Sequence, residues 1–133
     1  MTSLLIKNLI PGSCEGTVYV LEPFSFWGGV DVITGKLKQK KHPNQGLDLK
    51  DKIIAVNNFI GSSSSASVLL ELIRKKLSPR AILMQEVDAI VCLASIVAEN
   101  LNYHPVPMFQ ISNPSALHLR KISINASRLE IIN

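Results

Sequence analysis

Residues 52–77 leave this chain few folds to choose from. Lys52-Ile53-Ile54-Ala55-Val56 is a short apolar run rich in β-branched residues, the mark of a buried strand. Val68-Leu69-Leu70-Glu71-Leu72-Ile73 then opens a helix on which Leu69, Leu72, Ile73 and Leu77 share one face. Arg74, Lys75 and Lys76 gather near its negative end, and Pro79 marks its stop. Between strand and helix lies Gly61-Ser62-Ser63-Ser64-Ser65. At such a junction unpaired backbone N–H groups and the positive helix end face whatever binds there. The serines add hydroxyls to that spot.

The remaining segments extend this unit into a mixed α/β domain. Leu4–Ile10 and Thr17–Leu21 read as strands separated by a Pro11-Gly12 turn. Val30–Lys38, with Thr34-Gly35 at its centre, reads as a hairpin or a β-turn, and Lys40–Gly46 as a polar loop. Ala81–Gln85 predicts a second buried strand, and Asp88 the N-cap of a helix over Ala89–Leu101. That helix is apolar over most of its circumference, which predicts packing on more than one side. Val106–Gln110 is the last expected core strand. Residues 112–133 alternate weakly and are expected to add an edge hairpin or to pack as a tail. No internal repeat is visible, and all 133 residues fit one domain.

Composition excludes several classes of function. The net charge of +4 comes from residues 36–52, where Lys36, Lys38, Lys40, Lys41, Lys50 and Lys52 face only Asp48 and Asp51. That stretch has no arginine and no interleaved aromatic residue, so a solvated loop is expected there rather than a nucleic-acid site. The longest apolar run, residues 89–98, is about half of the ~20 residues that a membrane span needs. The first residues lack the pattern of a secretory signal. Cys14 and Cys92 stand alone without metal-ligand spacing. Cytoplasmic residence is the expectation.

A second unusual segment is Pro23-Phe24-Ser25-Phe26-Trp27-Gly28-Gly29-Val30-Asp31. It holds the only tryptophan and two of the four phenylalanines. It reads either as an aromatic plug on one end of the core or as a partner interface, where Trp and Phe are favoured anchors. In the second reading Phe26, Trp27, Gly28, Gly29 and Asp31 form the contact, and Asp31 either caps a turn or brings a carboxylate toward the serines. His42, His104 and His118 have no visible partners for a metal site, and a lone loop histidine such as His42 is most simply structural.

The order of these elements resembles the swivel domain of the aconitase X family. The resemblance rests on Phe26-Trp27-Gly28-Gly29-Val30-Asp31, Thr34-Gly35, His42-Pro43 with Gly46, the Gly61–Ser65 tract and Val68-Leu69-Leu70-Glu71-Leu72. It covers Leu21 to Met108 and leaves the tail after Ser112 outside. It implies a swivelling β/β/α fold and one half of a hydro-lyase. In that family a large catalytic subunit carries an iron–sulfur cluster and most substrate contacts, so no cofactor is expected on this chain. The substrate implied is a small hydroxy acid, cis-3-hydroxy-L-proline or (R)-5-phosphomevalonate, with a weak leaning toward the former.

By position Ser62 matches the family's proton acceptor, with Gly61, Ser63 and Ser64 beside it as substrate-binding residues and Ser65 as a cap. A serine is a poor base unless its alkoxide is stabilised, which N–H groups at a helix start do in part. In the wider superfamily an arginine follows the Gly-Ser-Ser turn; here Ser64 takes that place, so an added cation has to come from elsewhere. Val32 stands where many relatives have proline. The competing class is a non-catalytic module that keeps the swivel fold for anion binding or docking. A third reading is a stand-alone phosphate-ligand binding domain, for which the absence of P-loop spacing disfavours nucleotide hydrolysis.

Overall fold

The computed structural model describes residues 2–132. Strands β1 (Thr2–Leu5), β2 (Lys7–Ile10), β3 (Cys14–Val20), β4 (Ile53–Val56), β5 (Ala81–Met84), β6 (Met108–Gln110), β7 (Lys121–Asn125) and β8 (Arg128–Ile131) pair in the order β1-β8-β7-β3-β4-β5-β6-β2. Strands β3, β4, β5 and β6 run parallel, and all other pairings are antiparallel. Helices α1 (Phe26–Gly29, a single irregular turn), α2 (Ser65–Arg74) and α3 (Ala89–Asn100) complete the fold with a 3-10 turn at Pro114–Leu117.

The strand expected over Leu4–Ile10 is two strands. It breaks at the buried Ile6; β1 pairs with β8 and β2 with β6, at opposite ends of the strand order. Because one residue joins them, the sheet closes on itself into a barrel-like ring. Strand β3 makes the second corner: Cys14–Thr17 pair with β7, and Val18–Val20 with β4.

Strict alternation along the central strands sorts the core into two layers. Ile53, Ala55, Ala81 and Leu83 point into the ring with Ile6, Val18, Phe109, Ile122, Ile124 and Leu129. Ile54, Val56, Ile82 and Met84 point outward onto Leu69, Leu72 and Ile73 of α2 and Val91, Ala94 and Ala98 of α3. Strands buried on both faces need the continuous apolar runs that the sequence supplies. Each large aliphatic side chain removed from water contributes about 1.5–3 kcal/mol. The result is a helix layer over a mostly parallel sheet over an antiparallel one, the expected β/β/α arrangement.

One expectation is met in part. Residues 112–132 form the expected hairpin, β7–β8, but not at an edge: it lies between β1 and β3, with Leu117, Ile122, Ile124 and Leu129 buried inside the ring. Helix α3 packs both on the sheet and against α2, as its apolar circumference predicts, and leaves Leu93 and Ile96 about half exposed on its outer face. Its start is as expected: the Asp88 carboxylate accepts the Val91 N–H at 3.0 Å.

Candidate functional site

The serine turn follows β4 at the carboxyl edge of the parallel strands, where open α/β sheets bind their ligands. Asn57 to Ser64 leave the sheet and enter α2, which begins at Ser65, three residues before the expected Val68. Phe59 is buried below the turn with its ring 5.4 Å from Phe24, edge to face, and 5.4 Å from Phe26, tilted; Phe24 and Phe26 meet each other edge-on at 5.2 Å. The Ile60 N–H donates to the Phe24 carbonyl at 2.9 Å. This aromatic cluster fixes the turn from beneath and accounts for the concentration of rings in residues 24–27.

The four serines have different environments. The Ser62 hydroxyl is half-buried and accepts the Ser64 N–H at 3.2 Å, while the Ser62 carbonyl accepts the Ser65 N–H at 3.0 Å. Ser63 and Ser64 are exposed, as is Gly61. Ser64 occupies the N-cap position with helical backbone angles, and its side chain makes no capping bond. The first N–H groups of α2, those of Ala66 and Ser67 among them, have no intrahelical partner and keep their positive dipole end toward the turn. Ser65, expected as a cap, does something else. Its buried hydroxyl lies 3.2 Å from Ser25 Oγ and accepts the Trp27 N–H at 3.3 Å.

That contact brings the aromatic segment to the serines. Trp27 leaves helical geometry at ψ 119° and Gly28 continues at φ +80°, a conformation that suits glycine. Trp27 is consequently 58% exposed, and Ile60, two residues before Ser62, is 48% exposed. Phe26 itself is fully buried, so within this segment the plug and the exposed face are different residues.

Asp31 does not join this site. From Trp27 the chain runs along α2 to its other end, where the Val32 carbonyl accepts Lys75 Nζ at 3.2 Å. Ten helical residues separate the two ends, about 15 Å. The Asp31 carboxylate accepts the Ile33 N–H at 2.8 Å, which holds its pKa below the usual carboxylate value. It is a turn residue, one of the two roles open to it. His42 is buried and engaged on both ring nitrogens: Nδ1 accepts the Asn44 N–H at 3.0 Å, so Nε2–H donates to the Glu22 carbonyl at 2.8 Å. His118 Nδ1 accepts the Val20 N–H.

A hollow of about 530 Å³ near Lys76, Arg80 and His104 lies at the opposite end of the domain. The carboxyl ends of α2 and α3 point toward it, and their dipoles oppose an anion there. No Lys, Arg or His side chain among the described residues hydrogen-bonds to Ser62. Among the described residues no group of three or more His, Cys, Asp or Glu could hold a metal ion. Cys14 on β3 and Cys92 on α3 belong to different layers of the fold. These residues do not fit an iron–sulfur cluster.

A β/β/α domain with a closed barrel-like sheet and a serine turn at a helix start is a swivel-type domain. Residues 3–131 match the aconitase X swivel domain, and the chain belongs to that family. The match extends through the tail, correcting the limit set at Met108. Over 103 residues the chain is 39% identical to the cis-3-hydroxy-L-proline dehydratase of Pseudomonas aeruginosa, covering 77% of this chain and 18% of that protein's length. The phosphomevalonate dehydratase small subunit of Pyrococcus furiosus is 34% identical over 93 residues, 69% of either chain. The crystal structure of Thermococcus kodakaraensis aconitase X (holo-form) superposes with a TM-score of 0.88 at 26% identity, with both chains covered in full. No described helix is long and apolar enough to cross a membrane.

Proposed function

We propose that this chain is the small subunit of an aconitase X-type hydro-lyase, active only with a large subunit, and that Ser62 is the proton acceptor. The observation that carries the reading is the place of the Ser62 hydroxyl, held by the Ser64 N–H in front of the uncapped start of α2. Dehydration of a hydroxy acid removes a proton from the carbon beside an acidifying group, forms a double bond and expels the neighbouring hydroxyl. In this reading the proton passes to Ser62 Oγ. Ser62 takes it as the alkoxide and becomes the neutral hydroxyl; the Ser64 N–H and the α2 dipole stabilise that alkoxide before the transfer.

Gly61, Ser63 and Ser64 present an exposed rim for substrate oxygens, and Trp27 with Ile60 forms an apolar border for the partner. The cations of α2 itself, Arg74, Lys75 and Lys76, stand at its far end, so the cation that would lower the serine's pKa further is assigned to the large subunit. The iron–sulfur cluster belongs there too, because the donor set of this chain does not suit it. The complex is assigned to the cytoplasm, where thiols such as Cys14 and Cys92 stay reduced. Of the two substrates, cis-3-hydroxy-L-proline is favoured by the 39% identity to the Pseudomonas protein.

The test is reconstitution with the large subunit and assay of both hydroxy acids. Ser62→Ala should assemble normally and lose turnover by a factor on the order of 10² or more, the scale of a general acid–base group. Unchanged turnover would leave the serine turn as an anion-binding or docking element without a catalytic group.

A further inference from the structure

The hydroxyl pair Ser25–Ser65 ties together two segments that leave the sheet separately. One is the loop after β3 that carries Trp27; the other is the turn after β4 that carries Ser62. Packing of Phe24, Phe26 and Phe59 attaches the first to the second, but the angular preference of such ring pairs is weak beside that of a hydrogen bond. Direction comes from hydrogen bonds, and two join these segments: Ile60 N–H to the Phe24 carbonyl, and Trp27 N–H to Ser65 Oγ. The second is reinforced by Ser25 Oγ, 3.2 Å from the same hydroxyl, and by Gln39 Oε1, which accepts the Ser25 N–H at 3.3 Å.

Three facts set Ser65 apart from an ordinary helix-start serine. Its side chain is 3% exposed, where helix-start serines ordinarily face water. Its hydroxyl serves a segment 38–40 positions upstream and leaves the start of its own helix unserved. The N–H it receives belongs to the residue whose ring turns out to solvent at 58%.

We propose that Ser65, with Ser25, is a positioning residue that makes Trp27 and Ser62 one rigid unit, so that seating of the large subunit against Trp27 sets the register of the Ser62 hydroxyl. This rests on the reading of Ser62 as proton acceptor and Trp27 as partner contact. The chemistry of both groups survives loss of the Ser65 hydroxyl; what is lost is the fixed distance between them. Small misplacement of a reacting group is enough to cost rate without costing affinity.

The test uses Ser65→Ala and Ser25→Ala in the reconstituted complex and in the free chain. Ser25 lies outside the helices and is half-buried, so its variant removes the reinforcing hydroxyl without touching α2 and leaves the Trp27 N–H bond to Ser65. Both variants should bind the large subunit with unchanged affinity and show an unchanged KM, while kcat falls by about tenfold or more in Ser65→Ala and by less in Ser25→Ala, which keeps the Trp27 N–H bond. In the free chain the emission of Trp27, the only tryptophan, should become more accessible to acrylamide. The double variant should lose no more than the worse single one, because both hydroxyls act through one contact.

Wild-type kcat with unchanged quenching, or losses that add in the double variant, would overturn the proposal. So would a loss confined to assembly or KM. If Ser62→Ala keeps full turnover, the proton-acceptor reading falls. A wild-type kcat in Ser65→Ala beside an inactive Ser62→Ala would remove only the positioning role.

Discussion

The Ser95 hydroxyl makes both backbone hydrogen bonds of Val106: it donates to the Val106 carbonyl at 2.8 Å and accepts the Val106 N–H at 3.0 Å. A side chain on α3 thereby acts as the missing strand neighbour for a residue whose own strand begins only at Met108. Both groups are buried.

Ser95→Ala is therefore expected to destabilise the domain by about 2–4 kcal/mol, since it leaves a buried donor and a buried acceptor unpaired at once. Urea unfolding of the free chain measures this. A loss under ~0.5 kcal/mol would mean that water replaces the hydroxyl without difficulty.

Gly35 sits at φ +77°, and an added Cβ would stand 3.0 Å from the Leu77 carbonyl oxygen. Gly35→Ala combines left-handed strain with a backbone clash and should cost about 1–3 kcal/mol. Gly46→Ala is the useful control, because it has φ +94° with open space around it. The excess of the first over the second isolates the contact with the end of α2.

Burial pushes the Cys14 thiol up to about 11 against the nearby Arg80 charge, and burial also raises Cys92. Both thiols should resist alkylation in the folded protein near pH 8 and react once it is unfolded. The sign for stability follows from linkage. Between the ordinary thiol value of 9.0 and about 11, the folded state retains a proton that the unfolded chain has released. The Cys14 contribution is thus complete below pH 9 and disappears as the pH rises through 11. A Cys14→Ser variant, compared with wild type by unfolding from pH 8 to 11, should show a flatter decline.

Trp27→Ala should weaken binding of the large subunit by about tenfold to a hundredfold, the range of a central aromatic anchor. Ile33→Ala, although 75% exposed, lies with Asp31 toward the other end of α2 and should leave affinity unchanged. Equal effects would place the docking face along the whole of segment 27–33 rather than at the serine turn.

Strands β4 and β5 were legible in sequence because burial on two faces demands uninterrupted apolar runs, and the Asp88 cap because its chemistry is local. The break at Ile6 was not. Leu4–Ile10 is a continuous β-prone run, and the reason for dividing it, pairing with β8 on one side and β6 on the other, lies more than a hundred residues away. The tail was legible as a hairpin, β7–β8, but not its place in the sheet: Ile122 and Ile124 gain their burial from strands that only the fold brings near. At the site, the serine tract marked the right junction. What it could not reveal is the division of labour, since the partners of Ser65 sit at positions 25 and 27 and no local pattern points to them.

The bend at Ile6 has a consequence for life outside a complex. Counted as one bent strand, β1 and β2 join the two ends of the strand order, and the unpaired edge left on each half is only four residues long. A subunit with Trp27, Leu93 and Ile96 at its surface is sticky toward a matching face, yet it offers only short, bent edges to the sheet of a second copy. Premature self-association by strand addition has little edge to start from, and recognition rests on side chains.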